Sequence, residues 1–245
     1  MTSITPEELL DELRRAGDVV TGIAAKLTEQ DIKAPSELPG WTRGHVLAHI
    51  CGIANAMARQ LEFAARSESV ELYDGGFEGR TRAIDMAAGH SLAEHRADVD
   101  KSLERAMRAF GSLDAAGWRE PITYRGGVVF DGGLALWREL VMHATDLGTG
   151  RGPETWSRPF CEHLFDFLSA RVPEGQRFVL QPLGLPGRVI GGGGKSTVIS
   201  GMLTDIAAWL AGRTPSLGSL RATAAADGVD LPELLPWPAG VPVKN

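Results

Sequence analysis

The sequence has little cysteine and no long apolar run, and both absences exclude whole classes of protein. Its two cysteines, Cys51 and Cys161, lie far apart, so they provide neither a disulfide framework nor a thiolate cage for zinc. No stretch approaches the roughly 18 consecutive apolar residues of a membrane-spanning helix. The first residues also lack the basic start and apolar stretch of a signal peptide. We therefore expect a cytoplasmic protein without a membrane partner.

Positive charge is scarce as well. The 245 residues include 25 lysines and arginines against 31 aspartates and glutamates, giving a formal net charge of −6 without any long basic run. Such a composition does not favour nucleic acid as a partner. Hydrophobic residues make up 43% of the chain, which suffices for an ordinary buried core. We expect a globular protein, a monomer, that acts on small molecules.

The N-terminal part of the chain is predicted to form a bundle of four helices. Thr5, Thr42 and Ser91 are suitable N-cap residues, and each is followed by apolar residues at helical spacing. A fourth helix is predicted from about residue 133 to residue 147. Residues 66–80, which are polar and rich in glycine, predict a loop. Amphipathic helices of this kind bury their apolar faces against one another.

The pattern changes near residues 148–154 (GTGRGPE), whose glycines and proline predict a domain boundary. Before it, residues 121–130 (PITYRGGVVF) predict a short hairpin. After it come predicted helices and extended segments at about residues 155–171, 177–181, 197–200 and 202–211. This mixture is typical of a small α+β domain. The predicted fold class is α+β, with a helical bundle at residues 1–152 and an α+β domain at residues 153–245.

Three side chains in the predicted bundle have the chemistry of metal ligands. Glu139 and His143 are four residues apart, so they share one face of the fourth helix. His49 lies at the edge of the apolar stripe of the second helix. Two imidazoles and one carboxylate, with a coordination position left open, are typical of a catalytic zinc site. We predict one divalent metal, zinc, bound by these three residues.

Other interpretations of the same residues remain. A pair of this spacing occurs often by chance, and His49 and His45 are themselves four apart and form a rival ligand pair. Both histidines can also be ordinary polar residues near a helix start. Asp146 either orients His143 as a hydrogen-bond acceptor or is a solvated acid near a helix end.

Weaker signals lie elsewhere. The segment 191–197 (GGGGKST) resembles a phosphate-binding loop, but Val189 stands where that motif requires glycine, so a flexible hairpin loop is the better interpretation. Cys51 is interpreted as a small buried residue rather than a nucleophile. Arg213 follows a helix and a glycine, where it either complements the helix end or binds a substrate carboxylate.

Several segments resemble one known family. Residues 39–49 (PGWTRGHVLAH) are similar to the metal-site opening of the DinB-like, mycothiol-dependent maleylpyruvate isomerase family, and residues 137–148 (WRELVMHATDLG) to its second motif. Residues 198–214 (VISGMLTDIAAWLAGRT) resemble its sterol-carrier-like C-terminal domain. The glycine run at 191–194 matches none of its motifs, so the resemblance leaves the substrate open.

The resemblance implies a DinB-like four-helix bundle joined to a small α+β domain, with zinc at their junction. It implies His49, Glu139 and His143 as the ligands and places Arg213 near the site. Zinc would bind the thiolate of mycothiol, which adds to the double bond of maleylpyruvate and leaves after rotation to give fumarylpyruvate. A mycothiol S-transferase that conjugates an electrophile is the alternative enzyme. A non-catalytic metal- or thiol-binding protein is a third possibility.

Overall fold

A computed structural model describes residues 4–224 and 227–238 of the chain. They divide into two compact units, one from Ile4 to Gly150 and one that begins at Arg151. The first unit is helical and the second contains a mixed five-stranded sheet, so the predicted α+β class is confirmed. No helix in the described part of the chain is long and apolar enough to cross a membrane.

Six α-helices make up the first unit. They are α1 (Pro6–Lys26), α2 (Glu29–Lys33), α3 (Arg43–Ala64), α4 (Gly76–Ala87), α5 (Leu92–Gly111) and α6 (Val129–Asp146). The four long ones form the bundle, because α1 and α3 each pack against both α5 and α6. Their facing side chains are fully buried leucine, isoleucine, valine and methionine. Each such side chain contributes about 1.5–3 kcal/mol when it is buried.

Capping fixes three of the helix starts where the sequence predicts them. The hydroxyls of Thr5, Thr42 and Ser91 each accept a hydrogen bond from the backbone N–H three residues later. An N-cap of this type stabilises a helix by about 0.5–2 kcal/mol. In α3 the cap fixes the residue at which the helix begins, and this determines which face of the helix carries His49.

The prediction of a loop at residues 66–80 is wrong at its C-terminal end, because α4 begins at Gly76. The N-cap of α4 is Gly75, in the left-handed region with φ 69° and without a side-chain cap. Ile84 is its only buried residue. A helix with neither a polar cap nor an apolar stripe leaves no pattern in the sequence.

The predicted hairpin at residues 121–130 is also corrected. Pro121 and Val128 form an isolated antiparallel bridge around a short 3-10 turn at Tyr124–Gly126, and α6 already begins at Val129. The helix continues through Gly133, where an added Cβ would lie 3.0 Å from Leu9 and 3.2 Å from Trp118. Gly133 therefore lies inside the helix, where it allows close packing, and does not mark the start of the helix.

The second unit packs two helices with a sheet. Its elements are α7 (Arg158–Leu168), β1 (Gln176–Pro182), β2 (Arg188–Gly191), β3 (Lys195–Gly201), α8 (Leu203–Leu210), β4 (Arg221–Ala224) and β5 (Asp227–Val229). The strand order is β2-β1-β3-β4-β5, with β1 and β3 parallel and the other pairs antiparallel. Helix α8 packs on α7 and contacts β1 and β3. The predicted segments 177–181 and 197–200 lie in β1 and β3.

The glycine run at residues 191–194 does not close a hairpin, because the strands on either side of it, β2 and β3, both flank β1. It crosses the start of β1, where the backbone N–H of Lys195 donates to the carbonyl of Gly175 at 3.0 Å. Gly194 has φ 104°, and a Cβ there would lie 2.2 Å from that same carbonyl. The crossing thus requires glycine at Gly194, whereas Gly192 and Gly193 have open space around them. The segment after the run is strand β3, so no α-helix begins there to bind phosphate.

Candidate metal centre

The three predicted ligands come together inside the first unit. His49 lies in the second turn of α3, and Glu139 and His143 lie one turn apart on α6, which packs against α3. His49 is 4% exposed, whereas the Glu139 side chain is 31% exposed. The cluster is thus buried on the side of α3 and open to solvent on the side of Glu139.

Their donor atoms form a small triangle. Nε2 of His49 lies 2.8 Å from Oε2 of Glu139 and 3.0 Å from Nε2 of His143, and the third side, between His143 and Glu139, is also 3.0 Å. Donor atoms held about 2.0–2.1 Å from a tetrahedral zinc are about 3.3 Å apart. The spacing and the donor types therefore fit one divalent metal. In the described residues this is the one group of three such side chains that can hold an ion.

The same proximity determines the charges of the three groups. Burial would raise the pKa of Glu139, but hydrogen bonds with His143 and His49 outweigh it and hold that pKa well below its usual value. Burial would lower the pKa of His143, but hydrogen bonds with Asp146 and Glu139 raise it to about 9. Burial and the neighbouring His143 lower the pKa of His49. Glu139 is consequently ionised and His49 neutral at pH 7.

Asp146 orients one of the imidazoles. Its Oδ2 lies 2.8 Å from Nδ1 of His143, and the carboxylate is fully buried at the end of α6. The interpretation of Asp146 as a solvated acid is therefore wrong. A carboxylate on the far ring nitrogen keeps a proton there, so Nε2 is the nitrogen that would bind a metal, in competition with the second proton that the raised pKa favours.

Arg80 is a contact of the site that the sequence did not reveal. Its Nη2 donates to Nδ1 of His49 at 3.0 Å, and its guanidinium lies 5.8 Å from the centre of the Tyr73 ring. Burial raises the pKa of Tyr73 to about 12, so its phenol stays neutral. Both residues belong to the segment 66–80, whose polar composition carries no spacing that points to α3.

His45, the rival ligand, has a different role. Its Nδ1 lies 2.8 Å from Oγ1 of Thr42 and accepts from the Thr42 backbone N–H at 3.2 Å, so His45 takes part in capping α3. The Trp41 ring stacks on His45 at 6.0 Å and meets His49 edge-on at 5.7 Å. His45 is therefore not part of the ligand cluster.

Arg43 joins the two helices that carry the cluster. Its Nε donates to the carbonyl of Leu147 at 2.7 Å and its Nη2 to that of Gly148 at 2.8 Å. These carbonyls end α6, whereas Arg43 is the first residue of α3. The guanidinium thus satisfies a helix end and sets the distance between the two ligand-bearing helices.

The second unit holds Arg213, the remaining predicted site residue. It follows α8 in a Schellman-type turn, in which its backbone N–H donates to the carbonyl of Ala208 at 2.8 Å. Its Nη1 donates to the carbonyl of Ala211 at 3.0 Å. These contacts complement the helix end, and a substrate-binding role for Arg213 stays a prediction.

Neither cysteine has the environment of a nucleophile. Cys51 and Cys161 are both buried and unoxidised. Burial raises the pKa of Cys51 to about 11 and that of Cys161 to about 12. Because the thiolate is the reactive form, both side chains are inert near neutral pH.

The sequence matches two models of one family along most of its length. The mycothiol maleylpyruvate isomerase N-terminal domain matches residues 13–148, and the C-terminal domain of the same family matches residues 155–236. The chain belongs to the mycothiol maleylpyruvate isomerase family. The match to the N-terminal domain spans the whole histidine and glutamate cluster, and the family resemblance predicted from the sequence is confirmed.

Solved structures agree with the family's fold. A crystal structure of a mycothiol-dependent maleylpyruvate isomerase, 22% identical, superposes with a TM-score of 0.81 over 94% of this chain and 96% of that one. A histidine-to-alanine mutant of such an isomerase, 21% identical, gives the same TM-score and coverage. At this identity the likeness establishes the fold alone. None of the curated proteins matches the chain.

Proposed function

We propose that this member of the family is a zinc enzyme that uses mycothiol as a cosubstrate and converts maleylpyruvate to fumarylpyruvate. The observation that carries the proposal is the triangle of donor atoms from His49, Glu139 and His143. Two imidazoles and one carboxylate leave a tetrahedral metal one open position, as catalytic zinc sites do. When bound, the metal lowers the pKa of a thiol or water that it coordinates.

The chain's own residues hold and orient this centre. Asp146 keeps a proton on Nδ1 of His143, so that Nε2 is the nitrogen that would bind the metal once its own proton is displaced. The ionised Glu139 offsets part of the charge of a divalent ion. Its partial exposure leaves a path for small molecules on one side of the cluster.

The reacting thiol must come from outside the protein, because both cysteines are buried with raised pKa values. A thiolate that adds to one carbon of a cis double bond turns it into a single bond, which rotates. Expulsion of the same thiolate restores the double bond in the trans form. The thiol is returned unchanged, which is the requirement for a cosubstrate of an isomerisation.

Maleylpyruvate also carries two carboxylates that need cationic partners. We assign one of them to Arg213, whose guanidinium can bind a carboxylate with two parallel hydrogen bonds. In the structure its Nη1 donates to the carbonyl of Ala211, so binding a substrate carboxylate would redirect the guanidinium.

The test measures turnover of maleylpyruvate by the zinc-loaded protein with and without mycothiol. Isomerisation that requires mycothiol supports the proposal, and about one zinc per chain should be found by elemental analysis. The triple variant His49→Ala, Glu139→Ala, His143→Ala should lose both zinc and activity. A panel of electrophiles is assayed in parallel. Conjugation of an electrophile without isomerisation would make the protein a mycothiol S-transferase, and zinc bound by the triple variant would refute the ligand set.

A further inference from the structure

A cavity lies beside His49, within the helical unit. It has a volume of about 660 Å³, opens to solvent, and is lined by residues of α3, α4 and α5 together with Tyr73. Of the metal cluster, only His49 reaches it, whereas Glu139 and His143 do not line its wall. Pockets that bind small organic molecules have volumes of about 300–1,000 Å³. The cavity therefore has the size of a ligand site of its own.

The wall of this cavity carries more positive than negative charge, although the whole chain is acidic. Its charged residues are Arg80, Asp98, Lys101 and Arg105. Arg105 is paired with Glu62 through two hydrogen bonds of 2.8 and 2.6 Å. Asp98 lies 2.9 Å from Nδ1 of His90. Three cationic side chains and one carboxylate therefore line the cavity.

Lys101 and Arg80 have no carboxylate partner in residues 4–224 and 227–238. Lys101 forms no ion pair or side-chain hydrogen bond there, and its side chain is exposed to the solvent of the cavity mouth. Arg80 donates to the neutral ring of His49. A cation without a counter-ion beside an apolar wall is a suitable partner for an organic anion.

Arg80 belongs to the cavity wall although it also contacts the metal cluster. Its Nη2 donates to Nδ1 of His49 at 3.0 Å. A guanidinium has five N–H donors, so Arg80 can keep this contact and bind a carboxylate at the same time.

The remaining wall is mostly apolar. Ala48, Ile53, Ala83, Ile84 and Ala87 supply it from α3 and α4. We infer that the cavity between α3, α4 and α5 binds a carboxylic acid with a short apolar chain, with its carboxylate at Lys101 and Arg80. The chain of the acid packs against the alanine and isoleucine side chains. It is a site separate from the metal and shares only His49 with it.

The experiment measures binding of hexanoate to the full chain by isothermal titration calorimetry. The neutral amide of the same length, hexanamide, is the control ligand. Hexanoate should bind saturably to the chelator-treated protein, and hexanamide much more weakly. Lys101→Met should weaken hexanoate binding about fivefold or more, the size expected for one ion pair near water. Arg80→Gln should weaken hexanoate binding in the same direction.

A cavity-filling variant provides a second, independent arm. Gly52 lines the cavity, and a Cβ added there meets nothing within 4 Å, so Gly52→Leu should fill the space without a clash. It should abolish hexanoate binding while circular dichroism shows an intact helix content. Gly22→Leu on α1, where a Cβ also meets nothing, is the matched control and should bind as the wild type does. Arg82→Gln, an exposed neighbour of Arg80 outside the cavity wall, should also have no effect.

The possible results are distinct. No binding of hexanoate to the wild type, or full binding by Gly52→Leu, would overturn the inference. Equal binding of hexanamide would overturn the role of the cations. Binding that is unchanged in both Lys101→Met and Arg80→Gln would overturn the assignment of the carboxylate to these two residues.

Discussion

The buried carboxylate of Asp146 accepts from Nδ1 of His143 at 2.8 Å, on the side of the ring opposite the metal cluster. Asp146 also lies at the end of α6, where its backbone carbonyl accepts from the N–H of Glu37 at 2.8 Å. One residue thus fixes both the ring of a ligand and the end of the helix that carries it.

We predict that Asp146→Ala lowers zinc affinity about 10–100-fold, as loss of such a hydrogen-bond partner usually does. Asp146→Asn should lower zinc affinity less, because the amide oxygen of asparagine can still accept from Nδ1 of His143. Competition with a chromophoric chelator measures both affinities. The exposed Asp100→Ala on α5 is the control. Equal affinities for all of these proteins would show that Asp146 does not position His143.

Arg43→Ala should destabilise the helical unit by about 1–3 kcal/mol, because the partly buried carbonyls of Leu147 and Gly148, just after α6, would lose their donors. The side chain of Arg43 is 17% exposed, so water replaces its hydrogen bonds only in part. The midpoint of urea unfolding measures the effect. Arg108→Ala, which removes a solvent-exposed ion pair with Glu104, should change the midpoint much less. An unchanged midpoint for Arg43→Ala would contradict its structural role.

Activity should require an added thiol and survive the double substitution Cys51→Ala with Cys161→Ala. Both thiols are buried, with pKa values raised to about 11 and 12, so neither supplies a thiolate at neutral pH. The rate with mycothiol, measured for the wild type and the double variant at matched zinc content, checks this. Turnover without any thiol, or its loss in a double variant that is still folded, would require a protein nucleophile.

Asp205, at the start of α8, should make the stability of the second unit depend on pH in the acidic range. Burial alone would raise its pKa, but hydrogen bonds from Ser219 and Leu217 hold the pKa below its usual value. A lowered pKa in the folded state contributes stability above the pKa of the unfolded state, and this contribution disappears as the pH falls through the folded value.

We therefore predict that Asp205→Asn costs about 1.5–3 kcal/mol at pH 7, the range for hydrogen bonds to a charged group. The difference between wild type and variant should shrink as the pH falls from about 5 towards 2. Urea unfolding of both proteins across this range measures the difference. Asp227→Asn, an exposed acid in β5, is the control. A difference that grows on acidification would reverse the sign of the proposed shift.

Arg213→Lys should reduce turnover at least about tenfold, equivalent to ~1.4 kcal/mol of transition-state stabilisation. Lysine keeps the charge but loses the two-pronged contact with a carboxylate. Zinc content should not change. If Arg213 only complements the end of α8, the variant should instead keep its rate and lose about 0.3–1 kcal/mol of stability. Kinetics and thermal melting of the same preparation distinguish the two roles.

Local signals explain which parts of the fold could be predicted. The starts of α1, α3 and α5 were predictable because a hydroxyl three residues before a backbone N–H is a contact within one helical turn. By contrast, β2, β4 and β5 contain only three or four residues each, and their pairing depends on distant strands. The start of α6 was missed because Gly132 and Gly133 serve packing within the helix.

The same difference between local contacts and contacts of distant segments decides which parts of the site could be predicted. The spacing of Glu139 and His143 is a property of one helix, so it was visible in the sequence. That His49 meets them depends on the packing of α3 against α6, and the spacing alone left His45 and His49 as a rival ligand pair. Arg80 could not be predicted, because α4 has a single buried residue and thus no apolar stripe in the sequence. The contact of Arg80 with His49 arises only from the packing of α4 against α3.

His49 is 90 residues from Glu139 and 94 from His143 along the chain. An unfolded chain would have to close a loop of this length to bring the three donors together, so a metal ion selects the native state. By mass action, an ion at 100 times its dissociation constant adds about 2.7 kcal/mol to the free energy of unfolding. Removing a bound ion would therefore lower the stability of the bundle, and the supply of that metal would influence how long the folded protein persists.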